Sequence, residues 1–565
     1  MSRLRVLVLS NTRPLRAWRI AERISAEMPE VEICGIIQDA LRELPWVQRL
    51  IATGNIDRID FRGRVPLKAS VWFRKVLWEL VHWALWCAHG CPRGVHAKGK
   101  FTVKDLAERC RHYARPFLLA DYVGDENVAE FARRQHADLV IVLGQPSLNR
   151  ELLDVPLLGL ARVVVRGASD ITAARLQDGT ELRVEHFAKG SESACTLASL
   201  SLPSQTHDGP FGMTLKGDLI ADELLVQAAR SLGKGNSTRA SKEVKEWMEK
   251  TLSPYLDQFE PPSRESSAAQ RTPFHQRCRS IVKLCVQSLL CSPWVIGRNW
   301  YRRLRGRYPV LILTHHLVSD RPHRMGIPTE DFWRRIRFLQ RHYRIVSLFE
   351  ADELLRSGSV RAPAVVLTFD DGYCDNFITL RAVAEETGAT ITLFVATQPV
   401  ELHQEFQHDL ASGTRGFFPL TWDQIRHWNR RGVEFGSHTR THFDCGSGDR
   451  TRLEPEIVGS RRDLEIRLGW PASSFAFPFG KHENMSSEAM EMAASTYSIF
   501  LSSFGGENVP CKESGRQHLL RKSFYSDPWE LELEMQSVFD LVQSSRFTLK
   551  RPLSSWRPEA VTAKS

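Results

Sequence analysis

The sequence predicts an α/β protein made of two units in one chain of 565 residues. Three observations carry that expectation. The chain opens with strand-like and helix-like runs in the order β-α-β, which implies a parallel pair. From Pro309 onward the same alternation resumes. Between the two lies a stretch, 236–308, whose Pro, Ser and basic residues read as a linker.

In the first unit, 1–235, Leu4–Ser10 alternates as a strand, Ala17–Met28 has helical spacing and Val31–Ile37 is again strand-like. The run 138–143, DLVIVL, reads as a buried strand ending at Gly144, and 161–165 and 182–187 as further strands. Residues 66–120 read as a helix-rich insertion carrying Trp72, Trp78, Trp83 and Trp86. In the second unit, 309–548, Val310–Thr314, Ala364–Phe369, Thr390–Val395 and Val433–Phe435 are strand-like. Helical patterns at 331–341, 421–431 and 455–468 separate them, so a (β/α) barrel or a doubly wound sheet is expected. The tail, 549–565, reads as loose.

Composition narrows the class. Hydrophobic residues make up 42% and charged residues 25%, the balance of a globular chain rather than a disordered or multi-span one. The net charge of +10 is concentrated: residues 261–310 hold ten Lys/Arg and one acid, Glu265. The basic balance therefore points to one segment and to no nucleic-acid-binding domain. That segment reads as a solvated basic linker, with attraction of 261–310 to an anionic membrane face or an anionic glycolipid as the sharper alternative. Eleven cysteines, an odd number without a CxxC pair, read as reduced thiols. With no leader pattern in MSRLRVLVLS, a cytoplasmic, peripherally membrane-associated protein is expected.

Three short pieces carry the chemistry. Thr368-Phe369-Asp370-Asp371-Gly372-Tyr373 follows an apolar run and sets two carboxylates at a strand end. Adjacent residues there point different ways, so one can serve a metal and the other a base. Gly436-Ser437-His438-Thr439-Arg440-Thr441-His442 follows a second strand and offers two imidazoles four apart. Phe475-Ala476-Phe477-Pro478-Phe479-Gly480 is an apolar strand broken by Pro and Gly, where a freed amide can face an oxyanion. Together they suit one divalent metal with open positions and metal-assisted hydrolysis of an acyl bond.

These motifs resemble the polysaccharide deacetylase family, or NodB homology domain, over residues 309–525. LILTHHLVS (311–319), ATQPV (396–400) and LTWDQIRHWNRRGVEFGSHT (420–439) agree with it. The resemblance implies a distorted (β/α) barrel and removal of an N-acetyl or other small acyl group from an amino sugar in glycan or exopolysaccharide biosynthesis. It implies Asp370 as general base, the Phe479 amide as oxyanion donor, and Asp371, His438 and His442 as metal ligands. Tyr373, Pro478 and Gly480 would bind substrate. Zinc suits this ligand set, and cobalt, manganese and nickel are admitted. Two departures stand out. Where the family carries an arginine that steadies the base, this chain has Ala476, and its Leu-x-His general acid is missing, leaving His316, His482 and His518 as substitutes.

The first unit is similar to the formyltransferase fold, a Rossmann-like domain. RLRVLVLSNTRPLRAWRIAERI (3–24), DLVIVLGQPSLNRELLDVP (138–156) and THDGP (206–210), with Asp208, carry the likeness. The expected Asn-x-His pair is replaced by ARVVVR (161–166), which implies an inactive domain kept for binding or docking. The expected substrate is a carbohydrate, lipid- or nucleotide-linked. The alternatives are a non-enzymatic scaffold of a glycan-assembly complex and an amidase of the same barrel on a non-sugar amide.

Overall fold

The computed structural model describes residues 3–39, 102–120, 126–144, 146, 148–166, 180–202, 210–234, 237–256, 293–503, 505–510, 517–524 and 528–537. The Trp-rich expectation at 72–86, Asp208, most of the basic segment and the tail lie outside these residues.

In the first unit β1 (Leu4–Ser10), β2 (Val31–Asp39), β3 (Phe117–Ala120), β4 (Leu139–Leu143), β5 (Leu160–Arg166), β6 (Thr180–Phe187) and β7 (Cys195–Leu202) form one sheet. Its order is β3-β2-β1-β4-β5-β6-β7. The first five strands are parallel, and β6 and β7 continue the sheet antiparallel. All five residues of β4 are buried, as an unbroken Leu/Val/Ile run covered on both faces requires. Inside the expected linker, Ser237–Thr251 and Ser253–Leu256 are helices, and Ala240, Val244 and Leu252 bury against this unit's core.

The second unit contains β8 (Val310–His315), a two-stranded ribbon of β9 (Leu317–Val318) and β10 (Gly326–Ile327), then β11 (Arg344–Ile345), β12 (Ala364–Phe369), β13 (Thr392–Val395), β14 (Glu434–Ser437), β15 (Ser474–Ala476), β16 (Ile499–Ser502), β17 (Gln517–Leu520) and β18 (Lys522–Ser523). The main sheet runs β17-β16-β15-β14-β13-β12-β8-β18, with β11 beside β12, and every pair is parallel. Its two edge strands, β17 and β18, are one stretch of chain interrupted only by Arg521. That stretch joins the edges and closes the sheet into a barrel, so the barrel and not the open sheet is the architecture. Val310, Ile312, Val366, Phe394, Leu501 and Leu519 fill the interior.

The helix Pro210–Leu232 packs between the units, and one apolar core continues from Val6 and Ile141 through Leu219 and Leu224 to Leu367 and Leu380. Glu223, on this helix, is wholly buried and meets Arg23 (2.5 Å), Arg381, His427 (3.1 Å) and Arg431 (3.3 Å). The buried Lys216 ammonium bonds Asp320 at 2.9 Å.

Candidate active site

Parallel pairing brings the three sequence pieces to one end of the barrel. Phe369 pairs with Leu393, Val395 with Ser437, and Ser437 with Phe475. Asp370, Asp371, His438 and Phe479 therefore emerge beside one another past the carboxyl ends of β12, β14 and β15, the edge at which barrel enzymes assemble their sites. The backbone bends sharply there. Asp371 (φ 68°), Thr439 (61°), His442 (60°) and Phe479 (60°) are all left-handed. Such residues cost roughly 1–3 kcal/mol each and gather where geometry serves function. Gly372 follows at φ 82°, and a Cβ on it would come within 2.6 Å of Val395 Cγ1, so only glycine makes this turn. The turn sends the two neighbouring carboxylates to different partners.

Asp371 is fully buried, and among the described residues neither carboxylate oxygen has a hydrogen-bond partner. Its Oδ1 faces His442 Nε2 at 3.3 Å and His438 Nε2 at 3.6 Å. The donor atoms of these three residues lie within 4.8 Å of one another. His438 Nδ1 lies 2.8 Å from the Ala476 carbonyl oxygen. A carbonyl only accepts, so Nδ1 carries the proton and Nε2 presents its lone pair towards Asp371. An acceptor-only group buried without a donor is costly, and a cation among these atoms would satisfy it. The residues thus fit a divalent metal. Burial takes the His438 pKa down to about 4, whereas at His442 the adjacent Asp371 outweighs burial and raises it.

Asp370 has different surroundings. Arg521 holds it in a fork, Nη1 to Oδ1 at 2.6 Å and Nη2 to Oδ2 at 2.9 Å, and Thr314 donates to Oδ2 at 3.2 Å. Burial pushes this carboxyl up, but the Arg521 guanidinium prevails and keeps it below the ordinary range. The arginine missing at position 476 is therefore supplied from the closing strand. Leu519 is buried in the interior cluster, and Arg521, two residues on, shares its inward parity.

A second unforeseen group is His408, on the short helix Gln407–Ala411, with Nε2 3.6 Å from Asp371 Oδ2. The hydrogen bonds around it fix its tautomer. Met325 N–H donates to His323 Nδ1 (3.1 Å), so His323 Nε2–H donates to Asp409 Oδ1 (3.2 Å). The Tyr373 hydroxyl has one proton and gives it to Asp409 Oδ2 (2.6 Å). Its oxygen must then accept from His408 Nε2–H, at 2.9 Å. His408 thus presents an N–H, not a lone pair, beside Asp371.

The remaining expected residues divide. Tyr373, expected against substrate, is wholly enclosed with Leu317, Phe406 and Phe417, and its hydroxyl belongs to the chain just traced. Pro478 and Gly480 are buried and shape the turn, while the Phe479 ring is 49% exposed and meets the His442 ring edge at 4.9 Å. Of the three histidines expected as acids, His316 lies close enough for its charge to act on both Asp370 and Asp371. His518 instead stacks on Phe500 and bonds Ser502 Oγ at 2.9 Å, on the opposite face of its strand from Leu519. His482 is exposed in the turn 482–484.

Comparison with known proteins agrees with this geometry. Residues 357–497 match the family model described as polysaccharide deacetylase. The YxkH protein of Bacillus subtilis (strain 168), whose name proposes a polysaccharide deacetylase, is 21% identical over 182 residues, which is 32% of this chain and 60% of that protein. The match thus spans less than two thirds of that relative. The Streptococcus pyogenes deacetylase PplD, solved with acetate, is similar at 19% identity and a TM-score of 0.34, covering 41% of this chain and 98% of PplD. Phosphoribosylglycinamide formyltransferase from Bacillus halodurans is similar at 11% identity and a TM-score of 0.25, covering 41% of this chain and 94% of that one. The fold itself rests on the strand order and pairing above. It is around these buried carboxylates and imidazoles that the C-terminal region of the chain matches the polysaccharide deacetylase family.

Proposed function

We propose that the barrel is a metal-dependent deacetylase that removes an N-acetyl or other small acyl group from an amino sugar of a glycan or exopolysaccharide. The observation that carries this is the pair of neighbouring carboxylates with opposite surroundings: Asp371 buried without a donor between two imidazoles, and Asp370 locked to Arg521. Asp371, His438 and His442 would hold the cation, zinc by the character of the set and cobalt, manganese or nickel by the same donors. Such a cation lowers the pKa of a water and polarises an acyl carbonyl.

The chain's own residues do the rest. Asp370, kept ionised by Arg521, takes the proton of the attacking water on a carboxylate oxygen. The Phe479 amide donates to the developing oxyanion. His316 or His408, the two imidazoles outside the ligand trio that bear on Asp371, returns a proton to the departing amine. A lipid- or nucleotide-linked carrier, a cytoplasmic site of action and peripheral membrane contact through 261–310 complete the reading. It is supported by the charge of that segment and by the free thiols Cys34, Cys110, Cys195, Cys374 and Cys445. Among the described residues no helix is long and apolar enough to cross a membrane.

The test is release of acetate and formate from a panel of N-acyl sugars, free, lipid-linked and nucleotide-linked, by metal-loaded protein. Asp371→Ala is expected to abolish release and stoichiometric metal together. A protein that binds no metal and releases nothing would be a scaffold, and release from cyclic amides alone would mark a non-sugar amidase.

A further inference from the structure

Just before the barrel, residues 293–305 form a helix with two unlike faces. Its inner face is pinned. Val295 and Asn299 are buried, Asn299 donates to Gln536 Oε1 at 3.1 Å, and Arg298 donates to the Gln536 carbonyl at 2.7 Å. Arg298 and Arg302 both pair with Glu507. The helix cannot roll without breaking these contacts, so its outer face is fixed. That face carries Trp294 (47% exposed), Trp300 (55%), Tyr301 (57%) and Leu304 (78%). At about 100° per residue the four fall on an arc of roughly 120°, with Arg305 along one edge and Arg303 along the other.

We infer that this face is a membrane contact, which seats the four apolar side chains in the headgroup boundary of an anionic bilayer. The inference rests on the peripheral contact proposed for 261–310 and gives it a definite surface. Three features fit this occupant. Trp and Tyr combine an apolar body with a polar tip, as the bilayer boundary requires. Arg303 and Arg305 are exposed, make no ion pair among the described residues and flank the stripe as anionic headgroups would require. The flanking residues of 261–310 add charge of one sign, Arg264, Arg271, Arg277, Arg279, Lys283 and Arg307 against the one acid Glu265. Leu304, the most exposed of the four, would gain nothing from a nucleic acid and gains from acyl chains. The helix leads into the amino end of β8, whereas Asp371 follows the carboxyl end of β12, the parallel neighbour of β8.

The experiment is flotation of the full chain with vesicles of phosphatidylcholine, with and without phosphatidylglycerol. Binding is expected only to the anionic vesicles, weakening as salt rises. The variant Trp300→Ser/Tyr301→Ser/Leu304→Ser is expected to bind at least about tenfold more weakly while keeping its melting temperature and its activity on a soluble substrate. Full binding by that variant would overturn the helix surface and leave contact through charge alone. No binding by the parent chain would overturn both, and neither result would bear on the deacetylase reading. A dimer by light scattering that the triple variant abolishes, without vesicle binding, would assign the face to a second copy instead.

Discussion

Replacing Arg521 by Met tests the base directly. The guanidinium is wholly buried, the Asp370 side chain is 5% exposed, and two short hydrogen bonds join them. Removing one partner of such a pair costs about 3–5 kcal/mol, because the other charge is left in a medium that cannot solvate it. Asp370 can escape that penalty only by taking a proton. At 1.36 kcal/mol per pKa unit, 3–5 kcal/mol corresponds to roughly 2–4 units. The carboxyl, now held below its ordinary 3.8, would then titrate above that value. A protonated base stalls the reaction, so the acid limb of the pH–rate profile for acetate release should move up by about 2 units or more. Stability should follow with the opposite sign to the parent. In the parent, the depressed pKa gives stability that is present above the unfolded value and lost as pH falls through the folded one. In the variant, the native state holds the proton more tightly than the unfolded chain, so stability is present below the unfolded value and lost as pH rises through the folded one. Urea melts at several pH values read this slope. Arg521 also closes the barrel, so the cycle with Asp370→Asn separates the two effects: if the cost is the stranded charge, adding Asp370→Asn to Arg521→Met should restore most of the lost stability. An Arg521→Met enzyme with an unmoved acid limb and an undiminished rate would refute the assignment of Asp370.

Three further expectations follow from the same physics. Asp409→Asn disrupts the chain that fixes His408 beside Asp371, and should slow acetate release by about 100-fold with little change in melting temperature; an unchanged rate would deny His408 the return of the proton and leave it to His316. Glu223→Gln leaves Arg23, Arg381 and Arg431 around a neutral amide, and should cost about 3–5 kcal/mol in urea denaturation; a loss within error would show that the cluster does not hold the units together. Burial holds His427 at about 4 against an ordinary 6.5, so the unfolded chain takes up its proton first, and stability should fall by up to about 3 kcal/mol as pH drops from 6.5 to 4. His427→Gln should flatten that slope, and a slope identical in the variant would place the titration elsewhere.

The strands and their chemical ends were legible because the two signals coincide locally. Apolar runs such as 364–369 report burial, and the Asp-Asp-Gly or Gly-Ser-His that follows reports the strand's end. Parallel pairing then gathers ends that lie far apart in the chain. Arg521 was hidden because its meaning depends on closure. It is 151 residues from Asp370, and its segment, RQHLLRKSF, reads as polar until Leu519 is known to face inward. His408 was hidden differently: it sits on a five-residue helix with no periodicity to read. Of the two departures from the family, the absent Leu-x-His left His316, His482 and His518 as substitutes, and Ala476 pointed to no replacement. The Ala476 carbonyl instead supports His438.

The same dependence on context explains the first unit. In a doubly wound sheet, ligands gather at the carboxyl ends of the strands where the order reverses, here beside the turn after β1. The cations that follow this turn are already matched: Arg13 pairs with Asp218 and Glu386, and Arg16 with Asp218 and Asp222. Asp218 and Asp222 belong to the helix between the units, and Glu386 to a helix of the barrel. Burial still pushes the Asp222 carboxyl up to about 6, even with Arg16 beside it, so this matching is not free of cost. Charges buried at such a cost act by allowing one arrangement of neighbours, since any other leaves them unpaired. These polar residues of the edge are thus engaged at the junction with the barrel, and the apolar core running through both units carries the same constraint.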